Sequence, residues 1–240
     1  MIIDSHIHAG HGTGLTDSWT TFEDIEISLK RMDEAGIDKA VILPIENLDY
    51  RIANREIAEI VQAHPDRLYG YAKVNQERDR GRIGEMLDEA FDELALKSLK
   101  IHHHPTREMM EALRKHRKPL LADVLGKVYE LRYVAQSYPD VPIIIAHMGQ
   151  FKSDAQAHLN TVWLAKKYRN IYFDTSSVIM HEWLEYAVSE DLVDRMIFGS
   201  DGPVCHCGVE LARIKALNLP PAQENAVLHG NIARLIGVNE

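Results

Sequence analysis

Eight times in succession, a short apolar run rich in β-branched residues gives way to an amphipathic stretch, and no Pro/Gly/Ser-rich linker or charge block interrupts the series. The strand-like runs fall at residues 2–5, 40–44, 68–74, 98–102, 120–124, 141–146, 171–175 and 196–200. The stretches with helical spacing fall at 22–35, 52–63, 83–94, 108–116, 128–137, 159–168, 181–188 and 209–217, and a further one at 221–236 closes the chain. Val141-Pro142-Ile143-Ile144-Ile145-Ala146 is apolar almost throughout, as a strand covered on both faces must be. Strict alternation implies a parallel sheet. Eight units in 240 residues suit closure into a (β/α)8 TIM barrel, with the last stretch as an extra C-terminal helix. An open doubly wound sheet usually carries a G-x-G-x-x-G turn after its first strand, and none is present. The expectation is one α/β barrel domain over residues 1–240.

Composition narrows the class of function. The net charge of −9, with no basic stripe interleaved with aromatics, argues against nucleic acid as a partner. No apolar run approaches a membrane span, and Met1-Ile2-Ile3-Asp4 enters a strand at once, which argues against a cleaved secretion signal. Cys205 and Cys207, one residue apart, make no disulfide framework, so a reducing cytoplasm fits best. The expected partner is a small-molecule substrate, and a homo-oligomer is left open.

Polar residues collect at the strand ends, where barrels place catalysis. His6 and His8 end the first strand, and alternation points both imidazoles one way, towards a shared ion. Alone, the His-x-His pattern equally suits two histidines at a strand-to-loop boundary. At the end of strand four, Lys100, His102 and His104 share a face, with His103 on the other. Lys100 could be carboxylated to bridge two metals or could hold a substrate carboxylate. His147 follows a fully apolar strand, and Asp201 ends Phe198-Gly199-Ser200 before Gly202-Pro203; a titratable group in either place has few structural reasons to exist. Asp174 better suits a cap or a hydrogen bond from behind a ligand. Lys73 needs an anionic partner, either substrate or a neighbouring carboxylate. Cys205-His206-Cys207, without a second pair, cannot complete a zinc shell.

Taken together, Asp4-Ser5-His6-Ile7-His8, Leu99-Lys100-Ile101-His102, Ala146-His147-Met148-Gly149, Phe173-Asp174-Thr175-Ser176, Phe198-Gly199-Ser200-Asp201-Gly202-Pro203 and the closing His229-Gly230-Asn231-Ile232-Ala233-Arg234-Leu235 resemble the amidohydrolase superfamily. The likeness is greatest to its amidohydrolase-related branch, which includes aminocarboxymuconate-semialdehyde decarboxylase and related metal-dependent hydrolases. The resemblance implies a divalent metal, zinc first and manganese second, held by His6, His8 and Asp201, with His147 as a ligand or as the catalytic histidine. Asp123 stands where the branch usually has a strand-five histidine, and it becomes a candidate oxygen ligand alongside His102. The first functional expectation is a hydrolase in which a metal-activated water attacks, Asp201 takes the proton and His147 polarises the scissile carbonyl. Lys100 and Lys73 would hold a substrate carboxylate. The alternatives are a non-oxidative decarboxylase of the same branch and a non-catalytic binding barrel.

Overall fold

The computed structural model describes residues 1–15 and 19–238. Its strands are β1 (Ile3–His11), β2 (Phe22–Glu23), β3 (Lys39–Pro44), β4 (Leu68–Lys73), β5 (Ser98–Ile101), β6 (Leu120–Ala122), β7 (Ile143–Ile145), β8 (Ile171–Asp174) and β9 (Met196–Ile197). They form one sheet in the order β2-β1-β3-β4-β5-β6-β7-β8-β9, parallel throughout except for the short antiparallel β2–β1 pair. The sheet curls until its ends meet. Ser5 N donates to Phe198 O at 3.0 Å, His8 N to Gly202 O at 2.6 Å and Gly202 N to His6 O at 3.2 Å, joining β1 to the segment after β9. The fold is the expected TIM barrel, and no helix among the described residues is long and apolar enough to cross a membrane.

Alternation along the strands builds two cores. Outward residues such as Ala72, Leu99, Ile143 and Phe173 pack under the helices, while Ile3, Val41, Leu43, Tyr71, Leu121, Ile144, Tyr172 and Ile197 fill the barrel. Ile232, Ala233 and Ile236 of the last helix join that inner core and plug one end. This helix runs through Pro221–Asn225, a π-helical turn Ala226–Gly230 and Asn231–Ile236. Buried Asn231 fastens it by donating to Val193 O at 2.9 Å and Met196 O at 2.8 Å. Truncating Asn231 to alanine leaves both carbonyls unpaired and should cost about 2 kcal/mol, read as a lower urea midpoint with an unchanged slope.

Several boundaries differ from the sequence reading. Residues 22–23 are strand rather than helix, because Asp24 caps the following helix by accepting from Glu26 N, and Ile25–Ala35 alone is helical. The first strand runs on to His11, so His6 and His8 lie within it. The strand expected at 120–124 stops at Ala122, since the Asp123 carboxylate turns the chain by accepting from Leu125 N at 2.9 Å. The helix expected from 159 starts four residues earlier, at Ala155, capped by Asp154.

Candidate metal centre and active site

The site is built on β1. Its pairing with β3 slips between Asp4 and Ile7, a bulge that resets the in–out alternation. Ile3 points into the barrel core and Ile7 outward under the helices, which leaves His6 and His8 facing in. The buried Asp4 carboxylate pins the bulge by accepting from His6 N at 3.1 Å and from Ser200 N at 2.9 Å.

Both histidines have one ring nitrogen tied down. His6 Nδ1 lies 3.0 Å from Asp174 Oδ2, and His8 Nδ1 lies 3.3 Å from Pro44 O. Burial raises the Asp174 pKa, but its hydrogen bond with His6 and neighbouring positive charge outweigh this and lower it to about 2. Carboxylate and carbonyl can only accept, so each Nδ1 carries the hydrogen and each Nε2 carries a lone pair. Burial, assisted by Lys100, drops His6 to about 4, and burial lowers His8 as well, so both rings are neutral near pH 7. Each Nε2 then lies 3.2 Å from Asp201 Oδ1. The ligand atoms of His6, His8 and Asp201 all lie within 4.8 Å of one another. Lys100 Nζ, 3.1 Å from His6 Nε2, meets one of these acceptors, but His8 Nε2 and Asp201 Oδ1 still face each other at 3.2 Å, and two imidazoles with a carboxylate suit a divalent transition ion. The donor set therefore fits a metal.

Asp174 is the hub behind this group. Besides His6 it accepts from His147 N at 2.8 Å and from Ser176 Oγ at 2.6 Å. Replacing it with asparagine should let His6 rotate, weakening metal binding about 10- to 100-fold by titration calorimetry with circular dichroism unchanged.

His147 follows β7 in an unusual backbone. His147 has φ +54° and Met148 φ +51°, and Gly149 follows at φ +111°. Such left-handed positions cost free energy in side-chain-bearing residues and persist only where the surroundings enforce them. Here Met148 O is held by His158 Nδ1 at 3.0 Å and Thr161 Oγ1 at 2.8 Å. The result is a buried imidazole with neither ring nitrogen hydrogen-bonded. Its Nε2 approaches Asp201 Oδ2 to 3.5 Å, and its Nδ1 lies 3.9 Å from Asp123 Oδ2. Burial pulls the His147 pKa down, but attraction to Asp201 more than offsets that and the net shift is upward. Burial raises Asp201, yet its histidine neighbours His6 and His147 hold the carboxyl well below the usual range. A methyl group at Gly149 would sit 2.6 Å from Val128 Cγ2 and 3.1 Å from Ala157 O. Gly149→Ala should therefore destabilise the protein by about 2–3 kcal/mol in a denaturant titration and displace His147.

The two lysines expected to touch substrate are both buried. Lys100 Nζ lies 3.1 Å from His6 Nε2 and has no carboxylate partner among the described residues. Lys73 Nζ is paired with Glu46 Oε1 at 2.6 Å; burial lowers its pKa to about 8 against the pull of Glu46. The same carboxylate oxygen lies 3.1 Å from His102 Nδ1, and Tyr50 OH donates to its other oxygen at 2.6 Å. The His102 ring lies 6.3 Å from that of His8 but outside the convergent group. His104 turns away to Glu130 at 3.2 Å. Burial pushes both Cys205 and Cys207 thiols up to about 11, so neither is a ready thiolate.

These groups open on a cavity of about 340 Å³. Its polar wall is His8, Glu46, His102, Asp123, His147, Gln150 and Asp201, and its rim includes Leu15, Leu125, Phe151 and Val204. No lysine or arginine lies among the described residues of this wall. A larger concavity, about 900 Å³, lies on the outer surface beside Tyr129 and Trp163 and holds none of these groups.

A barrel with histidines inside its first strand and a carboxylate after its last is the amidohydrolase arrangement, and the chain belongs to that family: the amidohydrolase profile matches residues 3–238. Among solved structures it is similar to 5-carboxyvanillate decarboxylase from Sphingomonas paucimobilis, with 16% identity over 99% of each chain and a TM-score of 0.78. It is also similar to a dihydroxybenzoic acid decarboxylase from Polaromonas sp. JS666 with bound manganese and the inhibitor 2-nitroresorcinol, at 16% identity over 100% and 97% of the two chains and a TM-score of 0.79. A probable 2-pyrone-4,6-dicarboxylic acid hydrolase from Acinetobacter baumannii, with citric acid bound, aligns at 16% identity over 98% and 99% with a TM-score of 0.77. At this identity the likeness is one of fold. No curated protein matches by sequence.

Proposed function

We propose that this amidohydrolase-family enzyme is a metal-dependent, non-oxidative decarboxylase of a small acid bearing a single carboxylate. The observation that carries the reading is His147, a buried imidazole on the cavity wall whose Nε2 lies 3.5 Å from Asp201 Oδ2 and whose ring nitrogens make no close hydrogen bond. A histidine so placed can hand a proton to a substrate carbon, and Asp201, if it holds the ion, is less free to act as the base that hydrolysis needs, so we favour decarboxylation over the hydrolysis expected first from sequence. Two of the similar structures named above are decarboxylases, which supports the same choice.

His6, His8 and Asp201 would hold the ion, with Asp123 and His147 beside it. Manganese is taken first because a similar structure holds it, although two imidazoles and a carboxylate would accept zinc equally well. When bound, the ion supplies Lewis-acid charge that orients the carboxylate and stabilises the electron pair left on the substrate. Lys100, a buried cation lacking a carboxylate partner, attracts the acid group. The rim of Leu15, Leu125, Phe151 and Val204 covers the apolar body and excludes water. As the carbon–carbon bond to CO2 breaks, its electron pair remains on the substrate carbon, and His147 delivers a proton there. Asp201 then stabilises the ring for reprotonation. Three carboxylates and no exposed cation on the wall disfavour a second acid group on the substrate.

The test is CO2 release from a panel of aromatic and unsaturated monocarboxylic acids, using protein loaded with manganese. Turnover of lactones or amides without CO2 would instead favour hydrolysis. No turnover and no bound metal would favour a binding barrel.

A further inference from the structure

Glu46 was not among the residues singled out from sequence, yet it organises one wall of the cavity. Its backbone is fixed on both sides: Glu46 N donates to Gly14 O at 3.0 Å, and Glu46 O accepts from Thr13 N at 2.7 Å. Its carboxylate receives Lys73 Nζ and Tyr50 OH, each at 2.6 Å, and His102 Nδ1 lies 3.1 Å from the oxygen that Lys73 holds. A carboxylate bound by an ammonium stays ionised and can only accept, so a hydrogen on the nearby His102 Nδ1 is attracted to it and a lone pair there is repelled. The same Lys73 ammonium disfavours a second positive charge on the ring. His102 Nε2 makes no hydrogen bond with any described residue, and the ring lines the cavity beside His8. It also stands apart from the convergent His6, His8 and Asp201 atoms, so it faces substrate rather than the ion.

We propose that Glu46 is a positioning residue that fixes His102 in its Nδ1–H form, so that Nε2 presents a lone pair to the cavity and accepts a hydrogen bond from a hydroxyl or N–H of the substrate. The inference rests on the proposed function only in taking this cavity as the substrate site. It adds a donor group, placed away from the carboxylate, to the chemistry of the molecule that binds.

Ring 15N spectra of the whole protein test the first half, with His102 identified by the signal lost in His102→Gln. The expected wild-type pattern is a protonated Nδ1 and a bare Nε2. Glu46→Ala should shift the ring towards the Nε2–H form, and Glu46→Gln, whose amide oxygen can still accept, should restore it. Binding of benzoate and its three monohydroxy isomers to the manganese-loaded protein tests the second half. At least one isomer should bind about tenfold tighter than benzoate, the worth of one well-made hydrogen bond. That preference, taken relative to benzoate in the same variant so that the change in wall charge cancels, should vanish in Glu46→Ala and return in Glu46→Gln. Should the alanine variant not fold, Glu46→Ala/Lys73→Met removes the cation that the single change strands. An Nε2–H ring in the wild type, a tautomer indifferent to Glu46, a hydroxyl preference that survives Glu46→Ala, or no binding of any of the four acids overturns the proposal. None of these readouts requires turnover, so a chain that releases no CO2 would defeat the decarboxylase reading without touching this one.

Discussion

Asp201→Asn should abolish metal retention and lower turnover by ~10³-fold or more, the equivalent of the several kcal/mol that an ion contributes to a charged transition state. The reasoning begins with lone pairs. Asp174 and Pro44 O claim the Nδ1 hydrogens of His6 and His8, so both Nε2 atoms meet Asp201 Oδ1 as acceptors at 3.2 Å. A bound cation would relieve that conflict in the wild type. In the asparagine variant the amide NH2 can donate to one of the Nε2 atoms instead, so the conflict disappears together with the site. Two signatures separate this from general damage. Manganese should raise the melting temperature of the wild type, since a ligand at 100 times its Kd adds about 2.7 kcal/mol, and should leave the variant unmoved. Without metal the variant should melt no lower than the wild type. Full metal occupancy in purified Asp201→Asn, by elemental analysis, would remove Asp201 from the ligand set.

Much of this site could be read from strand ends alone. His147 and Asp201 follow apolar strands that finish in a titratable residue, while His6 and His8 form a His-x-His inside β1, and barrel geometry brings these positions together. The pattern was legible because each residue interrupts a hydrophobic period. Glu46 was not, since it lies two residues beyond the strand in Pro44-Ile45-Glu46, where a carboxylate is ordinary loop chemistry. Its importance comes from Lys73, His102 and Tyr50, the first at the end of β4 and the second just past β5. The β1 bulge was hidden for a related reason: it depends on pairing with β3 and on Asp4 gripping Ser200 N across the closure of the barrel. The left-handed turn at His147 likewise carries no local signal beyond Gly149, because His158 and Thr161 from the next helix enforce it. Residues 22–23 were misread because Phe22 fits a helical period, whereas the Asp24 cap decides where the helix starts.

His147→Gln should lower CO2 release by about 10²–10⁴-fold, the usual worth of a positioned general acid, while leaving the bound metal within about twofold of the wild type. The two halves of that expectation have separate origins. The ion would be held by His6, His8 and Asp201, whose ligand atoms converge without help from His147. The proton, by contrast, has no other evident source beside the cavity: Asp201 is held ionised, and the Lys100 ammonium is turned onto His6 Nε2 at 3.1 Å. Glutamine keeps an amide of similar reach and packs against the same left-handed turn, so the β7 loop should survive, but it cannot give up a proton. Substrate affinity should change little, placing the loss in kcat rather than KM. A run in D2O adds a check on where the proton goes. Wild-type product should carry one deuterium on the carbon that lost CO2, as direct protonation at that carbon requires. If His147→Gln instead lost its metal and retained residual turnover per bound ion equal to the wild type, His147 would be a ligand, and the acid would have to be sought elsewhere in the wall.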